Sequence, residues 1–130
     1  MSSQIIGIGT DIIECLRIAQ MIERHGELFI NRVFTPHEIQ YCQSRKLATQ
    51  HYAGRWAAKE AVLKALGAAW RRGISWRDIE IRNESSGSPA VVLRGGARDV
   101  MEQVGILRLH VTISHCRCHA VAYVVAEGDA

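Results

Sequence analysis

The chain has 130 residues, 48% hydrophobic and 22% charged, a balance that excludes a disordered segment and suits one domain with its own core. Sixteen basic against 13 acidic residues leave a net charge of +3, too mild for a nucleic-acid surface and compatible with an acidic or phosphorylated partner. No apolar run approaches the ~20 residues of a membrane span, and MSSQIIGIGTDII lacks the basic n-region of a signal peptide, so a cytoplasmic protein is expected.

In chain order, QIIGIGTD predicts a short strand ending in a glycine-loosened turn at Asp11. ECLRIAQMIERHG has helical periodicity through Leu16, Ala19 and Ile22 and stops near Gly26. Thr35-Pro36-His37-Glu38 is a capping box that opens a second helix toward Ser44. A third helix covers Gly54 to Gly67, with a start several residues earlier allowed by the pattern and Gly67 placed to end it. SWRDIEIRN alternates at Trp76, Ile79 and Ile81, ESSGSP is a turn cluster, and AVVL is a short strand. A helix from about Ala97 to Val104 ends at Gly105. LRLHVTIS alternates, with Leu107, Leu109, Val111 and Ile113 on one face; HAVAYVVAE returns after a bend at HCRCH. The order β-α-α-α-β-β-α-β-β predicts a single α+β domain over residues 1–130, an antiparallel sheet packed against helices.

The helix GRWAAKEAVLKALG is apolar nearly all round yet carries Arg55, Lys59, Glu60 and Lys64. At about 100° per residue these charges form two narrow strips, Arg55 with Lys59 and Glu60 with Lys64. Glu60 and Lys64 have two readings: an i,i+4 ion pair, or a carboxylate and an ammonium at a phosphate site. Asp11 likewise reads either as a helix N-cap or, with Glu60, as a hard-oxygen ligand for Mg²⁺, which takes one or two carboxylates plus phosphates and waters. Arg55 and Lys59 are like charges one turn apart, locally unfavourable, and an anionic ligand, an acidic partner or solvent would relieve them. A non-catalytic module that binds an acidic partner through this strip is therefore a second functional reading. HCRCH separates Cys116 and Cys118 by one residue, and Cys15 and Cys42 stand alone. That spacing is poor for zinc and favours reduced, structural thiols. Ser114 and His115 end an alternating strand at a bend, where side chains can leave a sheet and meet a ligand, although a lone histidine beside a turn is more often a plain surface residue.

At GIGTDIIE with Arg17 beyond it, FTPHEIQYC, GRWAAKEAVLKALG, ISWRDIEIRNESSGSP and VTISHCRCHAVAYVV, the sequence resembles the holo-[acyl-carrier-protein] synthases, the short 4′-phosphopantetheinyl transferases. The stretches follow the family's order and span nearly the whole chain. The resemblance implies the 4′-phosphopantetheinyl transferase-like fold and transfer of 4′-phosphopantetheine from coenzyme A to a serine of apo acyl carrier protein. That reaction serves fatty acid biosynthesis and releases adenosine 3′,5′-bisphosphate. By motif, Asp11 and Glu60 would hold Mg²⁺ and Lys64 would stabilise the pyrophosphate. Ser114, His115 and the turn at Gly87-Ser88-Pro89 would contact coenzyme A, and Arg17 would contact the acidic carrier. A homotrimer with sites between subunits is also implied. One departure is Ser88, where relatives often carry lysine; Lys46, Arg82 and Arg94 are the nearby candidates to replace that charge.

Overall fold

The first strand runs further than its glycines indicate. In the computed structural model, which describes residues 2–67 and 73–129, β1 spans Ser3–Glu14 and carries Asp11 in mid-strand opposite Ala122. Asp11 is therefore not a helix N-cap; that place falls to Glu14, which makes no side-chain capping bond. Nor do the glycines form a turn. They let a helix backbone touch the strand: a Cβ on Gly7 would lie 2.2 Å from the carbonyl oxygen of Ala65, and one on Gly9 2.0 Å from that of Ala61. The chain continues through α1 (Cys15–His25), α2 (Glu27–Val33), α3 (Pro36–Gln43) and α4 (Ala48–Leu66). Next come a 3-10 turn (Trp76–Asp78), β2 (Ile79–Asn83), β3 (Pro89–Leu93), α5 (Gly95–Gln103), β4 (Ile106–His115) and β5 (His119–Asp129).

The architecture is α+β, as expected, but the strands form two antiparallel sheets, one ordered β1-β5-β4 and the other a β2-β3 hairpin. Helix α4 lies across the three-stranded sheet, over β1 at its C-terminal half and near β4 at Gly54, where a Cβ would meet Ile113. Helix α2 was not expected; ELFINRV is only seven residues long, too short to show a helical period. Trp76 leaves the expected strand because Ser75 caps the 3-10 turn: Ser75 Oγ accepts from the Arg77 N–H at 3.3 Å and Asp78 Oδ2 from the Ser75 N–H at 3.0 Å. Leu107 also departs from its predicted face. The β4–β5 register slips between Ile106 and Arg108, leaving Leu107 54% exposed, while Leu109, Val111 and Ile113 are half-buried. The capping box at Thr35 is present as predicted.

The Arg55/Lys59 strip points inward. Lys59 is 0% exposed and pairs with Glu38 Oε1 at 2.7 Å. It also donates to the carbonyls of Val33 (2.8 Å), Trp76 (3.1 Å) and Ile79 (2.7 Å). Burial holds the Lys59 ammonium below its ordinary pKa, and the Glu38 carboxylate opposes that shift. Glu38 accepts from the Thr35 N–H at 2.9 Å and the Ile81 N–H at 2.8 Å. One ion pair thus joins the end of α2, the start of α3, the 3-10 turn and β2 to α4. A strip enclosed in this way offers no surface to an acidic partner, which removes the structural basis for the binding-module reading.

Candidate active site

Three of the singled-out residues meet on the α4 side of β1. Asp11 pairs directly with Ala122, a core residue, so its side chain shares the sheet face that α4 covers. Lys64, in the last turn of α4, reaches it: Nζ lies 3.2 Å from Asp11 Oδ1 and donates to the Thr10 carbonyl at 2.8 Å. The ion pair expected between Glu60 and Lys64 is therefore replaced by one between Asp11 and Lys64, because the strand carboxylate lies within the ammonium's reach. Glu60 forms no ion pair among the described residues. Burial pushes its carboxyl pKa above the ordinary value, the Asp11 charge adds to this, and Lys64 and Arg17 act in the opposite direction. Arg17, exposed on α1, thus faces the same spot. Trp56, one turn before Glu60, directs its indole N–H near enough to favour the carboxylate, yet meets no hydrogen-bond geometry and is buried without an acceptor.

Beside this cluster, Met21 and His25 of α1, Leu28, Phe29 and Arg32 of α2, Trp56 and Trp76 surround a mostly apolar cavity of about 350 Å³. Met21 stands one turn after Arg17, so the cavity opens next to the charged site.

The remaining expected residues lie on the other edge of the sheet. Ser114 and His115 end β4, with Ser114 on the outer face opposite Val121 and His115 on the inner face opposite Ala120. Two strand spacings of about 4.8 Å separate β4 from β1 across β5. A chain of contacts leads from His115 to the turn before Pro89. The His115 ring meets His51 edge-on at 5.3 Å, and His51 meets Tyr41 at 5.6 Å. The Arg55 guanidinium stacks on Tyr41 at 3.9 Å and donates to Asn83 Oδ1, whose amide nitrogen donates to the Gly87 carbonyl at 2.9 Å. Arg45 stacks on Tyr41 at 4.5 Å. Burial, followed by the charges of His115, Arg55 and Arg45, holds the His51 pKa below its ordinary value. The sequence reading missed Tyr41, His51 and Asn83. Only the i,i+4 spacing of His51 and Arg55 signalled that they share a helix face. Two proposed replacements for the absent lysine, Arg82 and Arg94, are committed to Glu80 instead, at 2.5 and 3.2 Å.

Two carboxylates close enough to raise a pKa, flanked by cations that anionic substrate groups would meet, fit a hard divalent cation with two protein oxygens. No cluster of three or more His, Cys, Asp or Glu residues forms a metal site among the described residues, so HCRCH gains no zinc partners there. All four cysteines are free, Cys116 and Cys118 on the surface.

The model of the 4′-phosphopantetheinyl transferase superfamily matches residues 7–124, and the chain belongs to that family. Within it, the chain falls with the holo-[acyl-carrier-protein] synthases, as a phosphopantetheinyl transferase. It is 50% identical over 121 residues to the holo-[acyl-carrier-protein] synthase of Rhodopirellula baltica, covering 93% of this chain and 96% of that one. The crystal structure of the Neisseria meningitidis synthase superposes with a TM-score of 0.87 at 33% identity, covering 95% of this chain and 98% of that one. The Helicobacter pylori synthase in complex with coenzyme A superposes with a TM-score of 0.80 at 32% identity, covering 92% and 98%.

Proposed function

We propose that the protein transfers 4′-phosphopantetheine from coenzyme A to a serine hydroxyl of apo acyl carrier protein, with Mg²⁺ held by Asp11 and Glu60 and adenosine 3′,5′-bisphosphate as the second product. The observation that carries this reading is the Asp11–Glu60 pair with Lys64 beside it, since two mutually repelling carboxylates gain most from a divalent cation. A bound Mg²⁺ would neutralise pyrophosphate charge as the P–O bond to the nucleotide breaks. Lys64 is bound to Asp11 through one contact and is half-exposed, so its ammonium is free to turn to a phosphate oxygen. Arg17 and the neighbouring cavity suit an acidic partner that also presents an apolar side chain. His115, Ser114 and the turn before Pro89 would receive the nucleotide end of coenzyme A, with the exposed Arg45 as local positive charge.

The two half-sites occupy opposite sheet edges, which supports sites shared between subunits of a homotrimer. So does the outer sheet face, where Ile8 and Ile12 are 69% and 65% exposed and Tyr123 is 56% exposed. An uncovered row of this kind marks an interaction surface. No helix among the described residues is long and apolar enough to cross a membrane, in keeping with action on dissolved substrates. The deciding experiment mixes protein, Mg²⁺, coenzyme A and an apo carrier protein, then weighs the carrier. A phosphopantetheinyl mass gain is expected, and its absence across several carriers rejects the reading. Glu60→Gln should lose turnover while keeping its circular dichroism spectrum; full activity in that variant would remove Glu60 from the metal site.

A further inference from the structure

Three of the four thiols gather at one end of the molecule. Cys116 and Cys118 are exposed on the β4–β5 turn, and Cys15, 6% exposed, begins α1. The strand register explains the meeting. Glu14 pairs with His119, and one step on the Cys15 N–H donates to the Cys118 carbonyl at 2.8 Å. Cys15 is the first residue of α1 and Cys118 lies in the bend before β5, so the pair sits one step beyond the ladder, and its backbone bond keeps the two Cα atoms near the ~5.5 Å of a hydrogen-bonded antiparallel pair. A disulfide requires about 4.4–6.8 Å. Cys116 closes the hairpin through its N–H to the His119 carbonyl at 2.9 Å.

We propose that this end of the fold is a thiol-oxidation site, at which a hydroperoxide closes a reversible disulfide between Cys118 and Cys15. The Cys118 thiolate attacks one peroxide oxygen; the O–O bond breaks and the departing hydroxide takes a proton to become water. The Cys15 sulfur then attacks the sulfenic sulfur, the S–O bond breaks, and a second water leaves with the Cys15 proton. Two thiols supply the two electrons the peroxide accepts.

Access and local charge support the site. Cys15 lines a surface depression together with Leu16, Lys46, Leu47 and Arg117, so two cations line the approach to the thiol. Burial, then the nearby Cys116 and Cys118, push the Cys15 thiol above its ordinary pKa, which places the three within each other's field. The exposed Cys118 thiol, joined to Cys15 through the backbone bond, is therefore the attacking group and the buried Cys15 the resolving group. Cys116, which backbone bonds from Cys118 and His119 hold below its ordinary pKa, is the competing thiol that the mapping must separate from it. Cys42 is 0% exposed and pushed up to about 12, so it stays out of the reaction.

The bridge would tie the start of α1 to the turn after His115, a loop closure that stabilises the fold. Its test is a mass measurement that does not depend on the transfer reaction. The full-length protein is treated with equimolar hydrogen peroxide under native conditions and mapped without reduction. The expected result is loss of two hydrogens, a Cys15–Cys118 peptide, a raised Tm and reversal of all three by dithiothreitol. Cys118→Ser, at an exposed position, should fold and form no bridge. Absence of a bridge, a Cys116–Cys118 or Cys15–Cys116 bridge, or continued loss of two hydrogens in Cys118→Ser would each overturn the assignment.

Discussion

Replacing Lys59 with methionine removes the ammonium and keeps the length of the side chain. The cost follows from what is stranded. Glu38, 0% exposed, would lose its only ion-pair partner among the described residues. The carbonyls of Val33, Trp76 and Ile79 would lose a donor. Breaking a buried pair on one side costs about 3–5 kcal/mol, and unsatisfied carbonyls add to that figure less than their separate ~1–3 kcal/mol because Glu38 neutralises in part. A loss of about 4 kcal/mol is expected, a large share of the ~5–15 kcal/mol total typical of such a fold. Urea denaturation at fixed protein concentration measures it. The double variant Lys59→Met/Glu38→Gln should fall short of the sum of its singles by at least ~1.5 kcal/mol, since the neutral amide no longer needs a cation. Two results would refute the reasoning: a Lys59→Met loss below ~1 kcal/mol, or activity lost with stability unchanged, which would place Lys59 against a ligand.

Gly9→Ala forces a Cβ to 2.0 Å from the Ala61 carbonyl, so a loss of about 2–4 kcal/mol is expected in the same assay. Because burial and Asp11 raise the Glu60 pKa above its ordinary 4.5, the carboxylate is lost on acidification sooner than usual. The acid limb of kcat/KM should lie above pH 4.5 and move down as Mg²⁺ is increased; a limb indifferent to Mg²⁺ contradicts the metal assignment. Glu80 carries the opposite shift, from 4.5 to about 2: burial disfavours its charge, but bonds from Thr35, Arg82 and Arg94 outweigh that. A depressed carboxyl stabilises the fold fully above the unfolded value of 4.5 and loses that contribution as pH falls toward 2. At most about 3 kcal/mol is involved, since both arginines are half-exposed and screened; Glu80→Gln should flatten acid denaturation over that window. Light scattering should report a trimer for the unmodified chain and smaller species for Tyr123→Glu, whereas a monomer at working concentration removes the shared-site arrangement.

Much of the fold was legible because local rules matched tertiary need: the Thr35 capping box, the stop at Gly67 and the alternation of β4 from Leu109 onward all hold. Gly7 and Gly9 misled, since glycine reads alike whether it bends a strand or admits a helix against it, and only the position of α4 tells the two apart. The seven residues of α2 and the register slip at Leu107 carry no periodic signature. For the site, the motif residues Asp11, Glu60 and Lys64 do converge. The Tyr41–His51–His115 contacts join three elements distant in sequence and become visible only once the chain is folded. Arg55 and Lys59 resisted a sequence reading because a buried ammonium and an exposed one share one letter; their partners come from Glu38, Asn83 and backbone carbonyls.

The contact of Gly7 and Gly9 with Ala65 and Ala61 works like a rack and pinion locked at one tooth. Four helical residues advance about 6.0 Å and two strand residues about 6.7 Å, so helix carbonyls four apart fall over alternate strand positions. A slide of one turn would set Ala61 over Asp11 or Ala65 over the isoleucines before Gly7, and each of these positions carries a side chain where the native register has a glycine. Sliding α4 by a turn is thus closed off. The backbones that bear Asp11, Glu60 and Lys64 move as one body, and any adjustment to a bound ligand must come from rotation about side-chain bonds.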